Sequence, residues 1–448
     1  MGVQRARLAL VLVVFITALA AGCMQRNPDG VKAGESPAVL TSQPSVNTEA
    51  KTGCEGGGCG EQEPFVMGFM LLDEKNPFDN ELTYALDAGA GGVRAPFWYL
   101  GGNFRELGAP TDKLAAAGFE VIANAQPMPP GPPGDYSQYK RKLRALVESK
   151  KETVRYWQIG NEPDLAWTLR GYGADDYVNF FVESESVIRE ACPDCRIALA
   201  GISNQYDSSS GNYEFYRQVL EGIRKRSPSE RPFEVFDVHL YTDDGDYGRA
   251  ARAVADYRRL LSEAGFGYDI EFVSTEVGTY SGKPKSASKN LPFQSEEFQA
   301  KMLVKLYTEL FSAGVTKAFW TNVINVNKFG VEGQEGGFFD LVGLVYNGNG
   351  SYDRGNNIAC GTKKQAYTAY KNLASKIRGK TKCETVAENV YKFSKGDEVV
   401  YVAWNDAGGR LPLEVSGRVL VTDYAGNQKV KETETITLDD NPIFIEKQ

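Results

Sequence analysis

Histidine is almost missing from this chain: there is one, His239, among 448 residues. That excludes centres built from several imidazoles, such as the paired histidines of an HExxH helix or a His-rich zinc site. A basic cluster is missing too. Fifty Lys and Arg face 58 Asp and Glu for a net charge of −8, which argues against a nucleic-acid partner. No apolar run reaches the about 20 residues that a membrane-spanning helix needs, no internal repeat recurs, and no GxGxxG follows the first strand-like run. A hydrophobic share of 42% with 24% charged residues also excludes a disordered or collagen-like chain. Chemistry here falls to the carboxylates.

What is present begins with an export signal. Arg5 and Arg7 precede an apolar run, Leu8 to Ala21, that only Thr17 interrupts and that has fourteen residues, the length of a signal-peptide core. It ends in Leu19-Ala20-Ala21-Gly22-Cys23, which resembles a bacterial lipoprotein box. The resemblance implies cleavage before Cys23, a lipid anchor on Cys23, and an exported protein held at the cell envelope, on the outer membrane or cell surface. An ordinary signal peptide that leaves Cys23 as a plain thiol is the alternative. Loss of residues 1–22 removes two arginines and no acids, moving the net charge from −8 to −10.

Six cysteines then remain, Cys54, Cys59, Cys192, Cys195, Cys360 and Cys383, an even number that fits disulfides in an exported protein. Pairing neighbours in sequence (54–59, 192–195, 360–383) is simplest, but six cysteines permit fifteen pairings. Cys192-Pro-Asp-Cys195 could also be a redox pair or half a zinc site. It follows a helical stretch instead of opening one, so no helix N-terminus lowers a thiol pKa, and the structural disulfide is preferred.

Composition divides the chain into four. After the signal, 1–22, residues 23–63 are rich in Gly, Ser, Pro, Thr, Asn, Glu and Gln and read as a flexible tether. From 64 to 380, eight strand-like runs alternate with amphipathic stretches: Val66–Leu72, Gly92–Ala95, Phe119–Ala123, Val154–Gly160, Arg196–Ala200, Val235–Leu240, Ile270–Thr275 and Val315–Thr321. Continuous apolar strands between helices indicate a parallel sheet covered on both faces, and eight units predict an α/β fold of the (β/α)8 TIM-barrel type. A doubly wound open sheet is the competing architecture. Residues 381–448 carry short strand-like runs separated by turns such as Lys395-Gly396-Asp397, predicting a small C-terminal all-β module, β-sandwich-like and packed on the barrel.

Barrel enzymes place their chemistry at the C-terminal ends of the strands. The fourth strand ends in Asn161-Glu162-Pro163, the seventh in Glu276, the sixth in His239-Leu240-Tyr241, the second in Arg94-Ala95-Pro96, and the eighth near Trp320. Two carboxylates at one barrel mouth suit acid/base chemistry on a glycosidic bond, where one must hold a proton and the other stay ionised. Asn-Glu-Pro also fits a plain helix start. Trp98, Tyr99, Trp167 and Tyr280 fall beyond strand ends, where they could stack on sugars or simply pack. Asp243-Asp244-Gly245-Asp246 lacks the spacing and closing Glu of a calcium loop and reads as a solvated turn.

At these residues the chain resembles glycoside hydrolase clan A, the retaining (β/α)8 glycosidases with catalytic glutamates on strands four and seven. The resemblance covers about 65–377, and Asn161-Glu162-Pro163 is its most specific element. It implies Glu162 as general acid/base, Glu276 as nucleophile, Asn161 on the sugar 2-hydroxyl, Arg94 and Tyr241 orienting the nucleophile, His239 on the substrate side, and Trp320 as the aromatic floor of the −1 subsite. Trp98 joins these as a substrate-binding candidate. Gly343-Leu344-Val345-Tyr346 and Lys364-Gln365-Ala366-Tyr367 resemble the strand-eight loop and last helix of family 39; families 5, 30, 51 and 79 stay open. The expectation is a monomeric retaining glycosidase acting on neutral or weakly charged carbohydrate, with no cofactor and no metal. A surface carbohydrate-binding lipoprotein without catalysis, and a transglycosylase with the same two carboxylates, are the other readings.

Overall fold

The computed structural model describes residues 63–71, 78–100, 103–106, 111–203, 211–284, 291–326, 337–348, 355–407, 411–414, 417–432 and 434–448. The signal, nearly all of the tether, Cys23, Cys54 and Cys59 lie outside the described residues. Eight parallel strands form the barrel: β1 (Val66–Met70), β2 (Gly92–Leu100), β3 (Glu120–Met128), β4 (Tyr156–Ile159), β5 (Arg196–Leu199), β6 (Val235–Asp237), β7 (Glu271–Gly278) and β8 (Val315–Thr321). The sheet closes because β1 pairs with both β8 (Gly68 opposite Phe319) and β2 (Gly68 opposite Gly92).

Helices α1 (Phe78–Asp87), α2 (Thr111–Ala116), α3 (Tyr136–Lys150), α4 (Ala174–Ala191), α5 (Gly211–Arg226), α6 (Arg249–Glu263), α7 (Glu296–Ser312) and α8 (Gln365–Ile377) follow the strands in turn. Side-chain caps start two of them. Asp135 accepts from the Gln138 amide before α3, and Ser295 from the Phe298 amide before α7, each closing one of the donors a helix start leaves open.

The barrel interior explains where chemistry can sit. Side chains alternate between the two faces of a strand, and one layer of the interior is apolar: Ile122, Tyr156, Ala198, Val235, Val273 and Phe319, one from each of β3 to β8. Two residues further along, the same inward face turns polar, with Asn124, Gln158, Asp237, Thr275 and Thr321, all buried. The apolar layer seals the base, and the polar layer faces the mouth.

The last eight strands are β9 (Lys382–Ala387), β10 (Val390–Lys395), β11 (Glu398–Ala403), β12 (Leu411–Glu414), β13 (Arg418–Asp423), β14 (Gln428–Glu432), β15 (Thr435–Leu438) and β16 (Ile443–Lys447). Six of them make an antiparallel sheet in the order β9-β10-β11-β16-β13-β14, and β12 pairs with β15. Between the two sheets lie Val390, Ala403, Val419, Ile436, Leu438 and Ile445. Phe393, Val402, Trp404 and Phe444 instead join the barrel's own core. Lys305 of α7 pairs with Asp406 at 2.5 Å, and the Trp404 indole donates to the Tyr247 hydroxyl at 2.9 Å.

The cysteine expectation divides. Cys192 and Cys195 form a disulfide just beyond α4. Cys360 and Cys383 do not pair: Cys360 is exposed in the loop before α8, whereas Cys383 is largely covered on β9. Neighbouring positions in the cysteine sequence are separated here by a whole helix.

Candidate active site

The acid at the end of β4 owes its position to the backbone. Gly160 adopts φ +84°, where an added Cβ would crowd the Tyr177 ring at 3.1 Å. Glu162 itself has φ +40° and ψ +54°, a left-handed conformation that costs a non-glycine residue about 1–3 kcal/mol. Several contacts hold it there. The Glu162 amide donates to Gly201 O at 3.1 Å, and its carbonyl accepts from the Leu165 and Ala166 amides. Pro163 then opens a four-residue helix, Pro163–Ala166. The tripeptide is therefore both a helix start and the carrier of a buried carboxylate.

Glu276 depends on an irregularity in β7. Ala318 and Trp320 of β8 lie opposite Ser274 and Val277, so β7 has one residue more than its partner between those points. Such a bulge re-aims side chains beside many sites, and here Thr275 and Glu276 both reach the mouth. Arg94 Nη1 donates to Glu276 Oε1 at 2.6 Å, and the Tyr241 hydroxyl donates to Oε2 at 2.5 Å. The Arg94 Nε and Nη2 groups rest on Gln158 Oε1 at 3.0 and 2.8 Å, and Nη2 also reaches Asn161 Oδ1. Asn124 donates to the same Gln158 oxygen at 2.8 Å. The guanidinium thus ties β2, β4 and β7 together.

His239 lies between the two glutamates. Its Nδ1 is 2.8 Å from Glu162 Oε1 and 3.6 Å from Glu276 Oε2, and the ring is completely buried. Ligand atoms of Glu162, His239 and Glu276 all lie within 4.8 Å of one another. The environments drive these groups apart. Burial would raise the Glu276 pKa, but the charges of His239 and Arg94 and the Tyr241 hydrogen bond outweigh it and hold the group below the usual carboxylate range. Burial of Glu162 is not fully offset by His239, and the charge of Glu276 adds to it, so Glu162 is raised. For His239, burial opposes the charged form, yet Glu276 and Asp237 lift it to about 10. A metal bound by these three residues would need Nδ1 stripped of a proton, against that shift.

The structure brings together Glu162, Glu276, Arg94, Asn161, His239 and Tyr241. It does not bring Trp320 to the sugar side. Phe319 fills the barrel interior, so Trp320, its neighbour on the strand, faces the other way. Its ring lies flat against Tyr307, its N–H donates to Val342 O at 2.9 Å, and it is wholly buried. The next inward residue, Thr321, reaches the mouth instead and contacts the Tyr241 hydroxyl at 2.7 Å. Trp98 lies within β2, which runs on to Leu100 and folds back as a hairpin onto Asn103–Glu106; its side chain lies outside the described residues. Trp167 is packed among Tyr172, Tyr177 and Phe180, and Tyr280 is buried with its hydroxyl on Pro292 O. Asp244 and Asp246 are answered by Arg249 and Arg252, a solvated turn neutralised by its own helix.

Sequence reasoning missed Asp237, Thr275 and Gln126. Gln126 is two residues beyond Asn124 on the same inward face of β3, and its buried Oε1 has no partner among the described residues. The signal was available: polar residues spaced by two after an apolar inward residue.

No protein-family model and no curated protein matches the chain. Solved structures match its fold. A family 39 glycoside hydrolase from the gut symbiont Bacteroides cellulosilyticus WH2 superposes with a TM-score of 0.64 at 16% identity, over 86% of this chain and 81% of that one. A family 39 β-xylosidase from Caulobacter crescentus gives 0.56 at 14% identity, over 87% and 98%. AbfB, a family 51 α-L-arabinofuranosidase from Bifidobacterium longum, gives 0.55 at 12% identity, over 86% and 96%. The chain has the barrel-plus-module fold of these clan A glycoside hydrolases, closed by eight parallel strands.

Proposed function

We propose that the protein is a retaining glycoside hydrolase with Glu276 as nucleophile and Glu162 as acid/base. One observation carries the reading: two buried glutamates at the barrel mouth, one raised and one lowered in pKa, with carboxylate oxygens within 4.8 Å. An opposed pair of this kind divides acid from nucleophile. Retaining enzymes hold their carboxyl groups about 5–5.5 Å apart and inverting ones about 6.5–9.5 Å, so the spacing favours retention. The fold shared with families 39 and 51 supports it.

In the first step Glu276 attacks the anomeric carbon while Glu162 gives its proton to the departing glycosidic oxygen. The glycosyl ester on Glu276 then reacts with water, which surrenders a proton to the now ionised Glu162. The sugar leaves with its original anomeric configuration, and Glu276 is freed as carboxylate. The neighbours named as a β-xylosidase and an α-L-arabinofuranosidase set the first panel: 4-nitrophenyl β-xyloside, α-L-arabinofuranoside and β-glucoside. Turnover by the native protein, lost in Glu276→Gln and cut by about 10²–10⁴ in Glu162→Gln, is expected. Glycan binding without turnover, or an inverted product by NMR, would overturn the assignment. We further propose a monomer anchored through a lipid on Cys23; Cys23→Ala should move the protein from the membrane to the soluble fraction.

A further inference from the structure

Asp237 has no part in the reaction just described, yet it is among the most completely enclosed charged groups of the chain. It is fully buried on β6, two residues before His239. Oδ1 accepts the Thr275 amide at 2.8 Å; Oδ2 accepts the Thr275 hydroxyl at 2.6 Å and an amide proton of Gln158. A carboxylate with three donors on it is held ionised, and its pKa is lowered despite burial, chiefly by the charge of His239.

The donor arrangement around the imidazole then leaves little choice. Nε2 faces Thr275 Oγ1 at 3.2 Å and Asp237 Oδ2 at 3.3 Å. The one hydroxyl proton of Thr275 is committed to Asp237, so toward Nε2 that oxygen can only accept, and the ionised Asp237 has only lone pairs to offer. Nε2 must carry a proton. On the opposite side Nδ1 faces Glu162 Oε1 at 2.8 Å and Glu276 Oε2 at 3.6 Å; the ionised Glu276 can only accept, and Glu162 Oε1 accepts when its carboxyl proton sits on Oε2. The other charged or titratable groups nearby are Arg94 from β2, bound to Glu276; Asp164, two residues beyond Glu162; and Tyr241, on Glu276.

The fold also makes room for this pair. An added Cβ on Gly201, just past the end of β5, would lie 2.0 Å from His239 Nε2 and 2.5 Å from Asp237 Oδ2. A side chain on that residue is incompatible with the contact.

We propose that Asp237 is a positioning residue that keeps His239 protonated on both ring nitrogens, as a fixed cation whose Nδ1–H donates to Glu162 Oε1. The inference rests on the reading of Glu162 as acid/base. With Arg94 and His239 positive and Glu276 and Asp237 negative, the resting site balances with Glu162 neutral. Its own proton is then carried by Oε2, the oxygen that His239 does not engage. Once Glu276 is esterified, the balance becomes one positive charge in excess beside Glu162. The acid of the first step is thereby drawn to ionise and serve as the base of the second.

The chain's single histidine makes the test direct. The intact protein labelled with ¹⁵N-histidine gives one imidazole, whose two nitrogens report their protonation between pH 5 and 9. Both are expected to stay protonated at pH 7 and above in the native protein. In Asp237→Asn the apparent pKa of the ring should fall by about one unit or more, the scale of losing a neighbouring opposite charge. A native imidazole that is neutral at pH 7, or an unchanged titration in Asp237→Asn, overturns the proposal. The native spectrum needs no variant to fold and no substrate. Absence of turnover with a doubly protonated ring would count against the glycosidase reading, not against the cation.

Discussion

The smallest change with the largest expected effect is Gly201→Ala. Its Cβ would stand 2.0 Å from His239 Nε2, about 1.5 Å inside the ordinary contact distance of about 3.5 Å. Neither side can yield cheaply. The Gly201 carbonyl accepts from the Glu162 amide at 3.1 Å and from the Tyr216 hydroxyl at 3.2 Å. If the backbone retreats, Glu162 is carried with it. If His239 turns away, Glu162 Oε1 loses its contact with Nδ1 and the buried imidazole needs new partners.

Overpacking of this kind costs about 1–3 kcal/mol, which for a chain of this size lowers Tm by roughly 1–4 °C. Misplacing a catalytic group by about 1 Å costs about 10² in rate, so kcat/KM should fall by that order while the protein stays folded. Thermal denaturation followed by circular dichroism, with glycoside kinetics at 25 °C, reads both. Gly134→Ala serves as the control, because a Cβ added there meets nothing within 4 Å. A Gly201→Ala protein with native Tm and kcat/KM within twofold of native would refute the reasoning. The tight approach of β5 to the Asp237–His239 pair would then have no consequence.

Three further outcomes follow from the same geometry. Gln126→Ala should raise KM severalfold with Tm unchanged, as expected if its unpartnered Oε1 binds a sugar hydroxyl with about 0.5–1.5 kcal/mol; an unchanged KM would dismiss the contact. Tyr241→Phe removes the hydroxyl that donates to Glu276 Oε2, so the nucleophile's pKa rises and the acidic limb of kcat/KM moves to higher pH; a pH profile superposing on the native one would count against this. Asp164 is buried and raised from 3.8 to about 7, by burial first, with the Ser203 hydrogen bonds opposing. The folded state therefore holds this proton more tightly than the unfolded state. Its stabilising share is complete below about pH 4 and is lost as pH rises to 7, up to about 4 kcal/mol at 1.36 kcal/mol per unit. Urea denaturation of native and Asp164→Asn protein at pH 4.5 and 7.5 should show a steeper fall for the native chain; parallel pH dependences would remove Asp164 as the cause.

The barrel was legible in the sequence because its signal is coarse and repeated. Eight apolar runs alternate with amphipathic stretches, and helices α1 to α8 follow the eight strands in turn. The place of the two glutamates at the mouth was legible for a related reason, since Glu276 directly follows its strand-like run and Glu162 stands two residues past the end of its own. What escaped was the face on which a residue falls. Trp320 ends an apolar strand just as Glu276 does, yet it points into the helical layer, because Phe319 has already claimed the interior. A shift of one residue exchanges core for site, and a count of strands does not resolve it. Cys360 and Cys383 escaped for another reason: proximity in a list of cysteines says nothing about the helix folded between them.

Glu276 shows why such a shift cannot be settled by alternation alone. Val273 faces the interior and strict period two would make Thr275 and Val277 its inward successors, leaving Glu276 outside with Ser274. The extra residue in β7 breaks that period. It lets Thr275 stay on Asp237 while Glu276 turns to Arg94 and Tyr241. On the proposed reading, one inserted residue thus supplies both the nucleophile Glu276 and the Thr275 hydroxyl that faces His239 Nε2. Restoring regular pairing by deleting a residue from this segment would return one of the two to the helical layer. The bulge, invisible in the residue types themselves, is what allows a single strand both to bond Asp237 and to present Glu276 at the mouth.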